Sequence, residues 1–302
     1  LDDLANHRVL WTDPIAQPYR DVVLHEIPPN GQGLAAQIAL SILEHLDVHS
    51  IEPGSVDWIH YQVEAMKIAI RAAFDHFADP EVMTIPASEL LEPGSIARAA
   101  KSISNNAASR HPPVALPVSE DTVYLTTADA DGAMVSMIQS NYRGFGSGIV
   151  IDGTGISMQN RGSGFVLTPG HPNIVAGNKR PFHTIIPGFV TRSDGSPAMA
   201  FGVMGGHMQH QGHVQMVTRI FDHGENPQAA SDAPRWHVSP DYRLALETGT
   251  PPRTIKALEE RGHDAVLVTD EGLFGGAQLI CRLEDGYCAA SDHRKEGMAA
   301  GF

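Results

Sequence analysis

Three groups of residues have the types and spacing to do chemistry. The first is His207, His210 and His213, three imidazoles in a short stretch. On a helix His207 and His210 share a face, but His213 is turned further round, and no Asp or Glu stands at a useful spacing among them. The cluster therefore reads as a polar helix N-terminus and not as a metal site. The second is a pair of serines in Gly146-Ser147-Gly148 and Gly162-Ser163-Gly164. Both are the wrong length for a Gly-x-Ser-x-Gly nucleophile elbow, and neither lies cleanly between a strand and a helix. The third is Thr122, at the start of the β-rich run Thr122–Ala128. An internal threonine is a poor nucleophile because its hydroxyl has no base, so on local sequence alone Thr122 reads as an ordinary strand residue. A threonine at a chain terminus differs. Its own α-amino group, with a pKa of roughly 7.7–8.0, can take the hydroxyl proton near neutral pH. Cutting the Asp121–Thr122 bond would create that arrangement.

The elements that position Thr122 follow from periodicity and breakers. Asp129-Ala130-Asp131-Gly132 separates Thr122–Ala128 from a second β-rich run ending at Ser140, which predicts a β-hairpin. Before it, 104–120 carries Asn105, Asn106, Ser109, Pro112, Pro113 and Pro117 with no periodicity, and reads as an exposed linker where cleavage is tolerated. Upstream, residues 1–30 read as irregular except for a strand over 21–27, because Pro14, Pro18, Pro28 and Pro29 interrupt them. Helices are predicted over 34–46 and 55–77, with two shorter pieces in 88–104 interrupted by Pro93-Gly94. His60 and His76 on the second helix read as surface or interface residues. Gly31 and Gly33 lack the third glycine or the Gly-Lys-Ser/Thr of a phosphate loop.

Downstream, Gly-rich text from Gly144 leads to a buried strand at 149–151 and a turn and strand at 153–158. A loop at 168–182, strands at 185–191 and 198–204, helices at 207–223 and up to Pro234, a helix at 254–261 and a strand at 265–268 follow. Strands in the middle with helices on both sides make 122–302 an α+β layered structure.

Composition narrows the classes. The chain has 302 residues, 42% apolar and 19% charged, with a formal net charge of −14. No basic patch is available to bind nucleic acid. No run approaches the roughly 18 apolar residues of a membrane span. The two cysteines, Cys281 and Cys288, flank Glu284-Asp285-Gly286-Tyr287. With Asp285-Gly286 as the turn, Cys281 faces Ala290 and the thiols lie diagonally, which predicts free thiols. The chain opens on Leu1 and reads as a fragment, so a signal peptide would lie outside it, and cytoplasmic, periplasmic and secreted locations all stay open.

The order of motifs carries a resemblance. Asp121-Thr122, Gly144-Phe145-Gly146-Ser147-Gly148, Gly153-Thr154-Gly155-Ile156, Asn178-Lys179-Arg180-Pro181, Gly205-Gly206, Asp232-Ala233-Pro234-Arg235 and Ser291-Asp292-His293-Arg294 are similar in order and spacing to the γ-glutamyltransferase (glutathione hydrolase) family. Ile27-Pro28-Pro29-Asn30-Gly31-Gln32-Gly33 resembles the later part of that family's large subunit. The resemblance implies an N-terminal-nucleophile hydrolase with an αββα sandwich, made as a precursor that cleaves itself between Asp121 and Thr122. Residues 1–121 would then be the end of a large subunit and 122–302 the small subunit, with room for a dimer of these. It further implies Thr122 as nucleophile, Ser140 as a supporting hydroxyl, and Gly205 and Gly206 as the oxyanion hole. No cofactor or metal is implied, and the partner is a small-molecule amide.

Departures from the family pattern fall on the substrate side. Where the transpeptidases hold the glutamyl α-amino and α-carboxyl groups with an Asn, a Gln and an Asp three residues apart, and two serines, this chain has Tyr142, Arg161 with Gly164, and His183-Thr184. The carboxylate that pairs with a substrate ammonium is missing, and Arg161 adds a cation able to grip a carboxylate. This pattern resembles the branch related to cephalosporin and glutaryl acylases. The expectation is an amidohydrolase or acyltransferase acting on γ-glutamyl or dicarboxyl-acyl amides, with hydrolysis favoured over transfer. The alternatives are a glutaryl-type acylase and an inactive structural homologue.

Overall fold

The computed structural model describes residues 5–108 and 122–302; residues 109–120 of the predicted linker, and Asp121, lie outside the described residues. The chain first builds an antiparallel pair, β1 (Ile15–Tyr19) and β2 (Val22–Glu26), across a tight turn. Strand β1 departs from the irregular segment expected here. Pro18 cannot donate a ladder hydrogen bond, but β1 is the edge of its sheet, where that donor is not required.

From β2 the sheet continues through β7 (Gly188–Arg192), β8 (Pro197–Met204), β12 (Gly276–Leu283) and β13 (Gly286–Ser291). The order is β1-β2-β7-β8-β12-β13, with every pairing antiparallel. The sheet thus joins strands from both sides of the predicted linker.

Helix α1 (Gly33–Glu44) is buried on every side from Gly33 to Leu43, as a helix apolar all round its circumference must be. It packs between α2 (Val56–His76) and α5 (Gln209–Val217). The Ser55 hydroxyl caps α2 by accepting from Trp58 N, and Asp79-Pro80 follows its end. A single turn, α3 (Ala87–Leu90), precedes α4 (Pro93–Ser102). Pro93 and Gly94 begin α4 instead of interrupting a helix. The Glu92 carboxylate caps the Gly94 and Ser95 amides, and proline suits the first helical turn. Helix α5 continues into a π-helical turn, Thr218–Asp222, and α6 (Pro227–Asp232) follows.

Alternation along β8 sets the layers. A side chain at Gly212 of α5 would run into Val203, and one at Gly188 into Phe201 and His213, so Phe201 and Val203 face the helices. Gly202 points the other way, where an added Cβ would lie 2.4 Å from the Tyr124 ring. The predicted hairpin, β3 (Thr122–Ala128) and β4 (Met134–Ser140), therefore packs on the face opposite α5. Its register runs from Thr122↔Ser140 to Ala128↔Met134, and Gly132 takes the positive φ of 94° that the turn requires. Val123, Leu125, Val135 and Met137 on its outer face are exposed.

The segment expected as a buried strand at 149–151 is instead part of an isolated two-stranded ribbon, β5 (Val150–Ile151) with β6 (Ile156–Ser157). Ile149 and Val150 are 64% and 59% exposed because no second layer among the described residues covers them.

A separate three-stranded sheet, order β11-β10-β9, holds β9 (Trp236–Val238), β10 (Arg243–Glu247) and β11 (Asp264–Val268). Only β11 was foreseen; its neighbours are short and bounded by Pro234 and Pro240. Helix α7 (Pro252–Glu260) packs on β11. The edge of β9 meets α5. Gln211 accepts from Val238 N at 2.7 Å and donates to Val238 O at 3.0 Å, and Gln215 does the same with Trp236 N and O at 3.1 and 3.0 Å.

The cysteine hairpin corrects an expected register. Leu283 pairs with Gly286 and Cys281 lies directly opposite Cys288, because Glu284-Asp285 forms the two-residue loop and Gly286, at φ 143°, already belongs to β13. Both thiols are free. At the chain's end Asp292 is buried against Arg235 at 2.5 Å and Arg294 at 3.1 Å, and Arg294 also binds Glu247. No helix among the described residues is long and apolar enough to cross a membrane.

Candidate active site

Thr122 is the first residue of β3, and strand alternation puts its side chain on the same face as Tyr124, toward β8 and β12. Across the hairpin its Oγ1 donates to Ser140 Oγ at 3.1 Å, and the same Ser140 oxygen accepts from Tyr142 N at 2.9 Å. Tyr124 fixes the strand from below. Its hydroxyl shares a 2.7 Å hydrogen bond with Ser136 Oγ, which donates in turn to Phe201 O at 3.2 Å. A cavity of about 410 Å³ runs along this face, lined by Thr122, Tyr124, Met204, Gln278 and Lys295 among others. Met204 ends β8 and is followed directly by Gly205-Gly206.

Those two glycines make the turn from β8 into α5. Their φ angles are 119° and 57°, and a Cβ on Gly205 would lie 2.8 Å from Gly275 Cα, so only glycine fits there. Amides at the first turn of a helix have no partner within it, and the helix dipole favours negative charge at that end.

The predicted substrate-side residues converge as well. Tyr142, at φ 82°, is buried beneath Arg161, whose guanidinium sits 5.0 Å from its ring centre, while Arg143 lies 5.3 Å from the same ring. Arg161 Nη1 donates to Thr184 Oγ1 at 3.0 Å. His183 is half-buried against Gly31, where a Cβ would sit 3.1 Å from its Cε1. Burial, with Arg161 and Arg180 nearby, lowers the His183 pKa to about 3, so its ring is neutral. Gly164 leaves no room for a larger residue: its Cβ would fall 2.3 Å from Phe182 O. The backbone therefore excludes an acidic side chain at the position where the resemblance looks for one.

The three histidines after Gly206 go to different partners. His207 stacks on Phe74 at 5.9 Å, His210 Nδ1 binds Gln32 Oε1 at 2.9 Å, and His213 Nδ1 binds Glu26 Oε1 at 2.6 Å. Burial above all, then His237, Arg161 and Arg143, lowers the His207 pKa to about 4. The two serines bond backbone carbonyls, Ser147 that of Met158 and Ser163 that of Asn160. His60, expected at a surface or interface, is fully buried. Its Nδ1 meets His263 Nε2 at 2.8 Å and its Nε2 meets Ser104 O at 2.7 Å. His60, Glu64 and His263 have the spacing of a metal site, but the Lys67 ammonium already lies 2.6 Å from Glu64 Oε1 and 3.4 Å from His263 Nδ1, where a cation would sit.

Sequence reasoning overlooked one residue of this region. Gln32, in a turn weighed for its glycines and quoted in the resemblance but given no role, is completely buried, and its Nε2 donates to both Thr184 O at 2.8 Å and Gly206 O at 2.6 Å. A long amide between two glycines, ahead of an apolar helix, was the available signal.

The chain is similar to several known proteins. The chain is 36% identical over its whole length to the glutathione hydrolase-like YwrD proenzyme of Bacillus subtilis and 34% identical to the oxamate amidohydrolase proenzyme of Klebsiella pneumoniae, covering 58% of each. The crystal structure of cephalosporin acylase from Bacillus halodurans superposes with a TM-score of 0.92 at 43% identity, over all of this chain and 55% of that one. The chain thus spans a little over half the length of these relatives. The family model described as gamma-glutamyltranspeptidase matches residues 1–302, and the chain belongs to that family.

Proposed function

We propose that this chain is the catalytic part of a self-cleaving amidohydrolase with Thr122 as its N-terminal nucleophile. The observation that carries the reading is one continuous line of contacts: Thr122 to Ser140, Ser140 to Tyr142, Tyr142 to Arg161, Arg161 to Thr184, and Thr184 through Gln32 to Gly206. These contacts link residues far apart in sequence that were picked as nucleophile, substrate pocket and oxyanion turn, which supports reading them as a single site. In this reading the bond between Asp121 and Thr122 breaks, leaving 1–121 and 122–302 as two parts of one folded unit. The hairpin and the six-stranded sheet are then the inner layers of an αββα sandwich.

The freed α-amine of Thr122 takes the proton from its own hydroxyl as Oγ1 attacks the substrate carbonyl. Ser140 holds that oxygen in place, and the Gly205 and Gly206 amides receive the negative charge that builds on the carbonyl oxygen. The protonated amine hands its proton to the leaving nitrogen, the C–N bond breaks, and an ester to Thr122 remains. Water, activated by the same amine, then opens the ester and releases the acid.

The acyl group we assign is one carrying a distal carboxylate and no ammonium. Arg161 and Arg143 sit over Tyr142, Arg161 also lies close enough to His183 and His207 to disfavour their protonation, and Gly164 leaves no space for an acidic partner. Oxamate, named for the Klebsiella relative, is itself an amide whose acyl group bears a carboxylate and no ammonium. A γ-glutamyl group would bring an ammonium into this positive pocket, at a cost of several kcal/mol. Denaturing electrophoresis with N-terminal sequencing of the full-length protein should find a fragment beginning at Thr122, and Thr122→Ala should stay intact. A wild-type protein that remains uncleaved, or a variant cleaved equally well, would refute the nucleophile. Glutaryl anilide should be hydrolysed faster than γ-glutamyl anilide; the reverse order would refute the substrate class.

A further inference from the structure

The contacts of Gln32 go beyond packing. Its side-chain amide is completely buried and satisfied at both ends by groups whose character fixes its orientation. Two carbonyls, Thr184 O at 2.8 Å and Gly206 O at 2.6 Å, accept only, so the amide NH₂ must face them. The Oε1 end then faces His210 Nδ1 at 2.9 Å, which makes His210 the donor. The backbone around Gln32 is equally fixed. It is the N-cap of α1, its carbonyl accepts from Ala35 N at 2.9 Å, and Gly31 bridges to His183, whose N donates to Asn30 O at 3.0 Å.

We infer that Gln32 is a positioning residue that sets the oxyanion turn against the segment carrying His183 and Thr184, through one NH₂ group shared between the Gly206 and Thr184 carbonyls. The inference rests on the reading of Gly205-Gly206 as the oxyanion hole. The Gly206 carbonyl belongs to the peptide that follows the Gly206 amide, and this turn occupies left-handed geometry that glycine alone does not hold in one orientation. The bond to Gln32 supplies the missing restraint. The same NH₂ holds the segment that presents His183 and Thr184, so the distance between the acyl pocket and the oxyanion donors is set by one side chain. Gln32 lies before the Asp121–Thr122 bond and both carbonyls lie after it. The segment upstream of the cleavage point therefore still positions the reacting groups once the bond is cut.

Gln32→Glu isolates the donor role. The carboxylate keeps an oxygen for His210 but presents negative charge to two carbonyls, and only its protonated form regains an O–H to donate. Gln32→Leu removes the group entirely. In the self-cleaved full-length protein, assayed on whichever anilide the wild type hydrolyses, Gln32→Leu should lower kcat about 10- to 100-fold with KM changed less than about threefold, somewhat less than loss of a direct oxyanion donor. The rate of Gln32→Glu relative to wild type should rise as pH falls. A kcat within twofold of wild type for both variants overturns the inference alone. So does a lowered Gln32→Glu rate whose ratio to wild type stays flat with pH, since that marks a packing role. Should Gln32→Leu fail to fold, the pH dependence of the Gln32→Glu ratio decides. A wild type that is cleaved yet hydrolyses neither anilide overturns the underlying reading, and this inference with it.

Discussion

Gly202→Ala adds a single carbon at the seam between the hairpin and the six-stranded sheet. That carbon would lie 2.4 Å from Tyr124 Cε2, 2.5 Å from Cδ2 and 2.9 Å from Cζ. Ordinary contact needs about 3.4–4 Å, so the ring and its strand must retreat by about 1 Å. Tyr124 cannot swing aside freely, because its hydroxyl is tied to Ser136 and that serine to Phe201 O. The retreat therefore passes along β3 to Thr122, two residues away, while Gly205-Gly206 stays with β8. Overpacking of this kind costs about 1–3 kcal/mol of stability, and a chain of this size loses about 2–4 °C of Tm per kcal/mol. The effect on rate should be larger, because a displacement of about 1 Å at reacting atoms can cost 100-fold. Thermal unfolding and steady-state hydrolysis of an anilide measure the two separately. Combining Gly202→Ala with Tyr124→Ala should be less harmful than the sum of the single changes, since the second removes the obstructing ring. A Gly202→Ala protein with wild-type kcat, or a double variant showing strict additivity, would refute the mechanical link from β8 to Thr122.

Arg161→Gln should reduce the preference for glutaryl anilide over butyryl anilide by at least about tenfold, the loss expected for a buried charge-assisted contact, with KM carrying most of the change. Asp292→Ala should destabilise the protein by about 3–5 kcal/mol in urea unfolding, because it strands the buried Arg235 guanidinium and loosens Arg294. Stability should fall as pH drops below about 6.5. Burial lowers His207 and His237 to about 4, so between those values the unfolded chain binds protons that the folded one does not. Each such group contributes a slope of up to about 1.4 kcal/mol per pH unit, and urea midpoints that stay constant from pH 7 to 5 would contradict it.

The sequence was most legible where local chemistry and tertiary demand agree. Asp131-Gly132 between two β-rich runs marked the hairpin, and Ser55 and Asp79-Pro80 marked the ends of α2. Misreadings arose where a neighbour overrides the local signal. Pro18 hid β1, whose edge position excuses the missing donor. The apolar run Ile149-Val150-Ile151 looked buried, yet nothing in the described chain covers it. One residue decided the cysteine register, since Gly286 joins β13 and not the loop. In the site, Thr122, Gly205 and Gly206 were found through the order of motifs, not through any intrinsic property of those residues. Gln32 and the His60–His263 pair escaped because their meaning lies in partners roughly 150 to 200 residues away.

The side chains of Gln211 and Gln215 give the β9 edge what a further strand would have given it: a donor and an acceptor for each of two residues. An exposed strand edge is an open invitation to other chains, and proteins usually blunt it with charge, proline or a bulge. Here a helix closes it by imitating a backbone. The spacing of four residues along α5 matches the two-residue repeat along β9, so one turn of helix serves one repeat of strand. Substituting either glutamine would thus do more than remove two hydrogen bonds. It would leave the buried N–H and C=O of one β9 residue without partners, and the first visible consequence would be a loss of stability of about 1–3 kcal/mol per stranded group, read in urea unfolding.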